Sequence, residues 1–118
     1  MTDGFVAREK SRAFALRVVK SCQYLQSQKR EYVLSKQLLR SGTAIGALIR
    51  EAEYAESRLD FIHKMHIALK EANETDYWID LLSDSEYFNE EAGASLQADC
   101  RELLRLLIAI IKTTKRRG

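Results

Sequence analysis

Residues 32–56 of this chain read YVLSKQLLRSGTAIGALIREAEYAE, a pattern that predicts one long helix. Gly42 and Gly46 lie near its middle, and each lowers helix stability by about 1 kcal/mol relative to alanine. They therefore predict close approach by a neighbouring helix, with this stretch at the centre of a bundle. Apolar or small residues recur at spacings of four and three, the period of one helix face: Leu34, Leu38, Ser41, Ile45, Leu48 and Ala52.

The composition favours a single all-α domain over residues 1–118. The chain has no proline and five glycines, and it is long enough to bury a core without disulfides or a structural metal. Cys22 and Cys100 lie far apart on apolar stripes, which favours buried thiols and indicates a cytoplasmic protein. The longest apolar run, residues 106–111, is too short to span a membrane, and the N-terminus has no apolar export segment. We therefore expect a soluble protein.

Two more helices are predicted on either side of the central stretch. Residues 8–28 carry an apolar stripe at helical spacing, and the short polar link that follows favours an antiparallel neighbour. Ser57, with Asp60 three residues on, resembles a capping box and predicts the start of a third helix that runs to about Ser83. The third helix has its own apolar seam, formed by Phe61, Met65, Ala68, Ala72, Thr75, Ile79 and Leu82.

The fourth predicted helix is apolar on nearly all sides. A polar loop is expected at residues 84–93, in which Asn89 could cap a helix that starts near Glu90. One neighbour can cover the seam of Leu96, Cys100, Leu103, Leu107 and Ile110, but not the further apolar residues beside it. We predict an antiparallel up-and-down four-helix bundle that forms a homo-oligomer, because a second subunit must cover the rest of this surface. The candidate interface residues are Leu104, Leu106, Ile108 and Ile111, with Trp78 either in the core or in the interface.

Three segments resemble the bacterial four-helix bundle proteins encoded in 23S rRNA intervening sequences. They are FALRVVKSCQYL at 14–25, EYVLSKQLLRSGTAIGALIREAEYA at 31–55 and DFIHKMHIALKEANETDYWIDLL at 60–82. The chain departs from this family at Leu48, where many members carry Asn. The resemblance implies an up-and-down bundle that assembles as a ring-like homopentamer without catalytic activity. Accessory variability proteins of diversity-generating retroelements are similar in fold and engage nucleic acid and a reverse transcriptase.

Charge is segregated along the chain, although the net charge is only +2. Residues 1–50 hold ten Lys or Arg against three acids, residues 51–100 hold three against thirteen, and residues 101–118 hold six against one. Segregation of this kind can pair helices or subunits, and it can also leave a basic surface for a polyanion.

Basic residues on the second and fourth helices form the candidate nucleic-acid surface. Arg101, Arg105, Lys112 and Arg116 follow one another at offsets of four, seven and four, which aligns them as a basic strip. Such a strip could bind successive phosphates of RNA, or it could simply face water and pair with acids of the third helix. The remaining candidates are Lys36, Arg40, Lys115 and Arg117.

Two functions remain open at this stage. The first is a non-enzymatic oligomeric scaffold that binds RNA, and the second is an adaptor that docks a polymerase or a reverse transcriptase. A metal enzyme using Asp60, His63 and His66 is disfavoured, because di-metal bundles need Glu-x-x-His on two helices and this chain has none. We therefore predict no metal, no cofactor and no catalytic residues.

An acidic ladder completes the third helix. Asp76, Asp80 and Asp84 follow at four-residue spacing, which is mildly destabilising on its own. We expect Arg or Lys from an adjacent helix or subunit to compensate it.

Overall fold

Four helices make up nearly all of the structure. The computed structural model describes residues 3–117. Successive helices pack against each other, and α1 also packs against α4, whereas within the described residues no Cα atoms of a diagonal pair of helices come within 8 Å of each other. The predicted antiparallel up-and-down four-helix bundle is therefore confirmed. The helices are α1 (Asp3–Gln28), α2 (Leu34–Ala52), α3 (Arg58–Asp84) and α4 (Glu90–Arg116).

Helix α2 is shorter than predicted at both ends. The Glu31 carboxylate accepts hydrogen bonds from the backbone N–H groups of Val33, Leu34 and Ser35, at 3.2, 2.9 and 2.7 Å. This side chain caps the helix from outside, so α2 begins at Leu34 and not at residue 32. After Ala52 the chain tightens into turns between residues three apart, as when the Ala55 N–H donates to the Ala52 carbonyl at 3.1 Å.

The predicted caps of α3 and α4 are confirmed. Ser57 Oγ accepts from the Asp60 N–H at 3.0 Å, and the Asp60 carboxylate accepts in turn from the Glu56 N–H at 3.1 Å. The capping box thus reaches one residue further back than the usual pattern. Asn89 Oδ1 accepts from the Ala92 N–H at 2.7 Å, so α4 begins at Glu90 and the preceding loop is shorter than residues 84–93.

The close approach predicted from the two glycines of α2 is confirmed, and the neighbour is α1. A Cβ added at Gly42 would lie 2.8 Å from both γ-carbons of Val18, which is closer than real Cβ atoms come to any other atom. A Cβ at Gly46 would instead meet Ser11 Oγ at 3.4 Å, an ordinary contact distance. The packing therefore requires glycine at position 42 but not at position 46.

The core contains polar groups that satisfy one another. The hydroxyl oxygens of Thr75 and Ser41 are 2.9 Å apart, and Thr75 Oγ1 is 2.7 Å from the Glu71 carbonyl oxygen. Because Thr75 has one hydroxyl proton, it donates to that carbonyl and accepts from Ser41. The largest fully buried apolar side chains include Phe14, Leu25, Leu38, Ile45, Met65, Ile79, Leu82, Leu96, Leu103 and Leu107.

Both cysteines are buried free thiols, as predicted. Cys22 Sγ donates to the Ser35 carbonyl and Cys100 Sγ donates to the Ala72 carbonyl, each at 3.3 Å. Burial raises the pKa of Cys22 to about 11 and that of Cys100 to about 12. Each thiol therefore fills a contact between two helices and stays protonated near neutral pH.

Candidate nucleic-acid interface

Arg40, a predicted phosphate ligand on α2, points towards acids of α3. Its Nη1 lies 3.2 Å from Glu71 Oε1, and its Nη2 pairs with Glu74 Oε2. The indole N–H of Trp78 also donates to Glu74 Oε2 at 2.9 Å, while the Trp78 ring packs against the core. The hydrogen bond from Arg40, followed by that from Trp78, lowers the pKa of Glu74. The charge of Arg40 is thus neutralised within the protomer.

Arg101 is also neutralised within the protomer, so the predicted basic strip is interrupted at its first residue. Its Nε lies 3.1 Å from Asp76 Oδ1, which accepts from Gln97 Nε2 at 3.1 Å as well. The expected compensation of the acidic ladder is therefore confirmed for Asp76. Asp80 and Asp84 are exposed and form no ion pair within residues 3–117.

The other candidate basic residues are exposed and lack an acidic partner in the described part of the chain. Arg105, Lys112 and Arg116 share one face of α4 at offsets of seven and four. Lys36 lies in the first turn of α2, which runs in the same direction as α4, so it is at the opposite end of the bundle from Lys112. The full set without ion pairs is Lys36, Arg105, Lys112, Lys115, Arg116 and Arg117.

The structure also contains a surface groove between α1 and α2, with a volume of about 310 Å³. The sequence pattern does not single out this groove, because it exists only where two helices meet. Its one sequence indication is the four-residue spacing of Arg8 and Arg12 outside the apolar stripe of α1. We call this feature the α1–α2 groove, and its lining residues are Arg8, Ser11, Arg12, Ala15, Thr43, Gly46, Ala47 and Arg50.

Two of the three arginines in the α1–α2 groove carry charge that is not neutralised nearby. Arg8 Nε lies 3.8 Å from Glu53 Oε2, a long contact between two partly exposed side chains. Arg12 and Arg50 are exposed and form no ion pair among residues 3–117. The groove therefore presents at least two guanidinium groups to solvent.

The apolar side chains predicted at a subunit interface differ in exposure. Ile108 is 40% exposed, and Leu104 and Leu106 are half-buried. Ile111 is only 5% exposed, because it follows Leu107 by one helical turn and so continues the buried seam. The apolar surface left open on α4 is thus narrower than the sequence predicted.

Asp60, His63 and His66 do not form a metal centre. The Asp60 carboxylate caps α3 and pairs with Lys64 Nζ at 3.3 Å. Within residues 3–117, no three His, Cys, Asp or Glu side chains converge in a way that could hold a metal ion.

None of the helices over residues 3–117 combines the length and apolar character that crossing a membrane requires.

Comparisons with known proteins place the bundle in a family. No curated protein matches the chain. A solved structure from Bacteroides thetaiotaomicron VPI-5482, described as a protein with unknown function from the S23 ribosomal protein family, has a TM-score of 0.93 and 52% sequence identity. The match covers 94% of this chain and 99% of that chain. The model of the 23S rRNA-intervening sequence protein matches residues 5–109, and the chain therefore belongs to this family.

Proposed function

We propose that this protein is a non-enzymatic RNA-binding scaffold made of several copies of the bundle, pentameric by its family resemblance. The observation that carries the proposal is the set of exposed cations on α4. Arg105, Lys112 and Arg116 have no acidic partner among the described residues, although Arg40 and Arg101 do. Lys and Arg aligned on one helix face bind successive phosphates without reading bases.

Assembly of several copies would strengthen this binding. A single chain offers only a few unpaired cations on α4, but a ring repeats them around its circumference, and linked sites bind far more tightly than one alone. Ile108, with Leu104 one turn before it on the same face of α4, supplies the apolar contact between copies. The two buried free thiols support a reducing compartment, the bacterial cytoplasm.

The RNA-binding half is tested by fluorescence anisotropy with a labelled single-stranded RNA over a series of KCl concentrations. For single strands the slope of log affinity against log salt is about −0.7 per phosphate contact, so Arg105→Gln with Lys112→Gln should make it about 1.4 less steep. The matched control is Lys29→Gln with Lys70→Gln, which removes two exposed charges elsewhere. Absence of binding by the unaltered protein at low salt would refute the RNA-binding function.

The assembly half is tested by measuring the molar mass in solution, with light scattering on the protein as it elutes from a size-exclusion column. Ile108→Glu places a charge in the apolar contact and should reduce the molar mass to that of one chain. Leu16→Glu is the control, because Leu16 is 49% exposed on α1 and receives the same change. A single-chain mass for the unaltered protein at micromolar concentration would contradict the proposal.

Exposed apolar side chains favour a second candidate, the adaptor that docks a protein partner such as a polymerase or reverse transcriptase. Tyr54 is 84% exposed and Leu59 is 74% exposed, both in or next to the connection between α2 and α3. Phe5, at 55%, lies in the first turns of α1, at the same end of the bundle. The adaptor function would be favoured if the protein captures a protein partner, if this binding persists at high salt, and if the double variant Tyr54→Ser with Leu59→Ser no longer binds the partner.

A further inference from the structure

Gly46 lowers the stability of α2, although the packing of α1 against α2 leaves room for a larger side chain there. A glycine inside a helix costs about 1 kcal/mol relative to alanine. At Gly42 the contact with Val18 explains that cost, but at Gly46 a methyl group would lie 3.4 Å from the Ser11 hydroxyl oxygen and 3.5 Å from its backbone carbonyl oxygen, which are ordinary contact distances. The residue is also one of the lining residues of the α1–α2 groove. Glycine at this position therefore keeps the groove open and is not needed to bring α1 and α2 together.

The α1–α2 groove has small side chains between its arginines. Ala15, Gly46 and Ala47 let another molecule approach the helix backbones closely. The hydroxyl protons of Ser11 and Thr43 are engaged by the carbonyls of Arg8 and Leu39, at 3.1 and 2.7 Å. Ser11 is buried, but the oxygen of the half-buried Thr43 can still accept a hydrogen bond, for example from a ribose 2′-hydroxyl.

Arg12 and Arg50 supply the charge that such a ligand would meet. A guanidinium group donates two parallel hydrogen bonds to a phosphate, and it binds phosphate with better geometry than lysine does. Arg8 adds a third guanidinium, which is partly balanced by Glu53 at 3.8 Å. The lining contains no acidic residue.

We infer that the α1–α2 groove holds the sugar-phosphate backbone of an RNA strand, with Arg12 and Arg50 on its phosphates. The inference rests on the proposed RNA-binding function and names a part of the surface that performs it. An acidic helix of a second copy fits less well. A helix with its side chains is about 10–12 Å across, wider than a single extended chain. An extended strand is thinner and can follow the groove.

The test measures the binding of a labelled single-stranded uridine oligonucleotide by anisotropy, with the melting temperature and molar mass of every variant. Arg12→Gln with Arg50→Gln should make the salt slope about 1.4 less steep and weaken binding about 25-fold at 0.1 M salt, as expected for two lost phosphate contacts. Lys29→Gln with Lys70→Gln removes the same charge and should change both quantities much less.

Two variants of the groove surface separate its shape from its charge. Gly46→Ala should keep or raise the melting temperature and yet weaken binding, because the methyl group fills the groove. Ala47→Glu should abolish most of the binding, because it adds a carboxylate between the arginines at an exposed position. Asn73→Glu is its control, since it adds one negative charge to an exposed position of α3.

Each outcome decides the inference. If the unaltered protein binds RNA and only Arg105→Gln with Lys112→Gln weakens it, the groove inference is wrong while the proposed function stands. If the unaltered protein does not bind, both are wrong. If Arg12→Gln with Arg50→Gln changes the molar mass and leaves RNA affinity unaltered, the groove is a contact between copies and the inference is again overturned.

Discussion

Glycine has two different roles within one turn of α2. Gly42→Ala should destabilise the protein by about 1–3 kcal/mol, because the new methyl group overpacks against Val18. Rotation of Val18 cannot relieve this contact, since its Cβ would also lie only 3.3 Å away. Gly46→Ala should stabilise by up to about 1 kcal/mol. Urea unfolding of both variants measures the difference, and equal effects would refute this account of the α1–α2 contact.

The pKa of Glu74 gives a prediction that depends on pH. Hydrogen bonds from Arg40 and Trp78 lower this pKa below its ordinary value of 4.5. A lowered carboxyl pKa stabilises the fold at pH above 4.5, and this contribution is lost as the pH falls through the lowered value.

Glu74→Gln should therefore destabilise at neutral pH, by less than about 1 kcal/mol because the pair is partly exposed. The difference from the unaltered protein should shrink below pH 4.5. Thermal melts at several pH values measure it, with Glu51→Gln, an exposed residue of α2, as the control. A difference that is constant with pH would contradict this role of Glu74.

At the scale of the helix, α2 depends on a cap that lies outside its apolar pattern. Glu31→Ala removes the acceptor of three backbone N–H groups and should cost about 1–2 kcal/mol. Glu53→Ala, near the other end of α2, serves as the control in the same denaturation series. An unchanged midpoint for Glu31→Ala would mean that water replaces the carboxylate at no cost.

The helices could be predicted from the sequence more reliably than their ends and partners. The spacing of apolar residues in α3 is enough to place Met65, Ala68 and Ala72 in the core, where the structure has them. It cannot tell that Arg40 and Arg101 both face α3, because that depends on which helices are neighbours. The start of α2 differs from the predicted one for a related reason. Glu31 caps this helix through side-chain hydrogen bonds, which leave no mark on the spacing of apolar residues.

At the scale of the whole molecule, the reaction rates of the two buried thiols measure whether the four helices separate together or in pairs. Cys22 lies between α1 and α2, and Cys100 lies between α3 and α4. We expect both to react slowly with a disulfide reagent in native buffer, because burial removes access and raises their pKa.

Single-thiol variants, Cys22→Ala and Cys100→Ala, let each rate be followed against denaturant. If the bundle unfolds as one cooperative unit, the two rates should rise in parallel. Fast reaction of one thiol under native conditions would show that its pair of helices opens separately.

The whole-molecule fold was predictable because each helix carries its own apolar face, and four such faces can be buried together. The α1–α2 groove cannot be predicted from the sequence, because Arg12 and Arg50 are far apart in the chain and line one groove only when α1 packs against α2. A surface that two helices share can be predicted only when the relative positions of both helices are known.

The acidic ladder of α3 also affects what happens before any contact forms. Asp80 and Asp84 are exposed and unpaired among the described residues, and α3 holds six acids against three Lys or Arg, whereas α1, α2 and α4 each hold more Lys or Arg than acids. The electric field of a distant polyanion therefore turns the protein so that α3 faces away from the polyanion. At low ionic strength the protein would therefore meet a polyanion with its basic helices first, which raises the association rate constant. This increase would be lost once the Debye length falls below the width of the molecule.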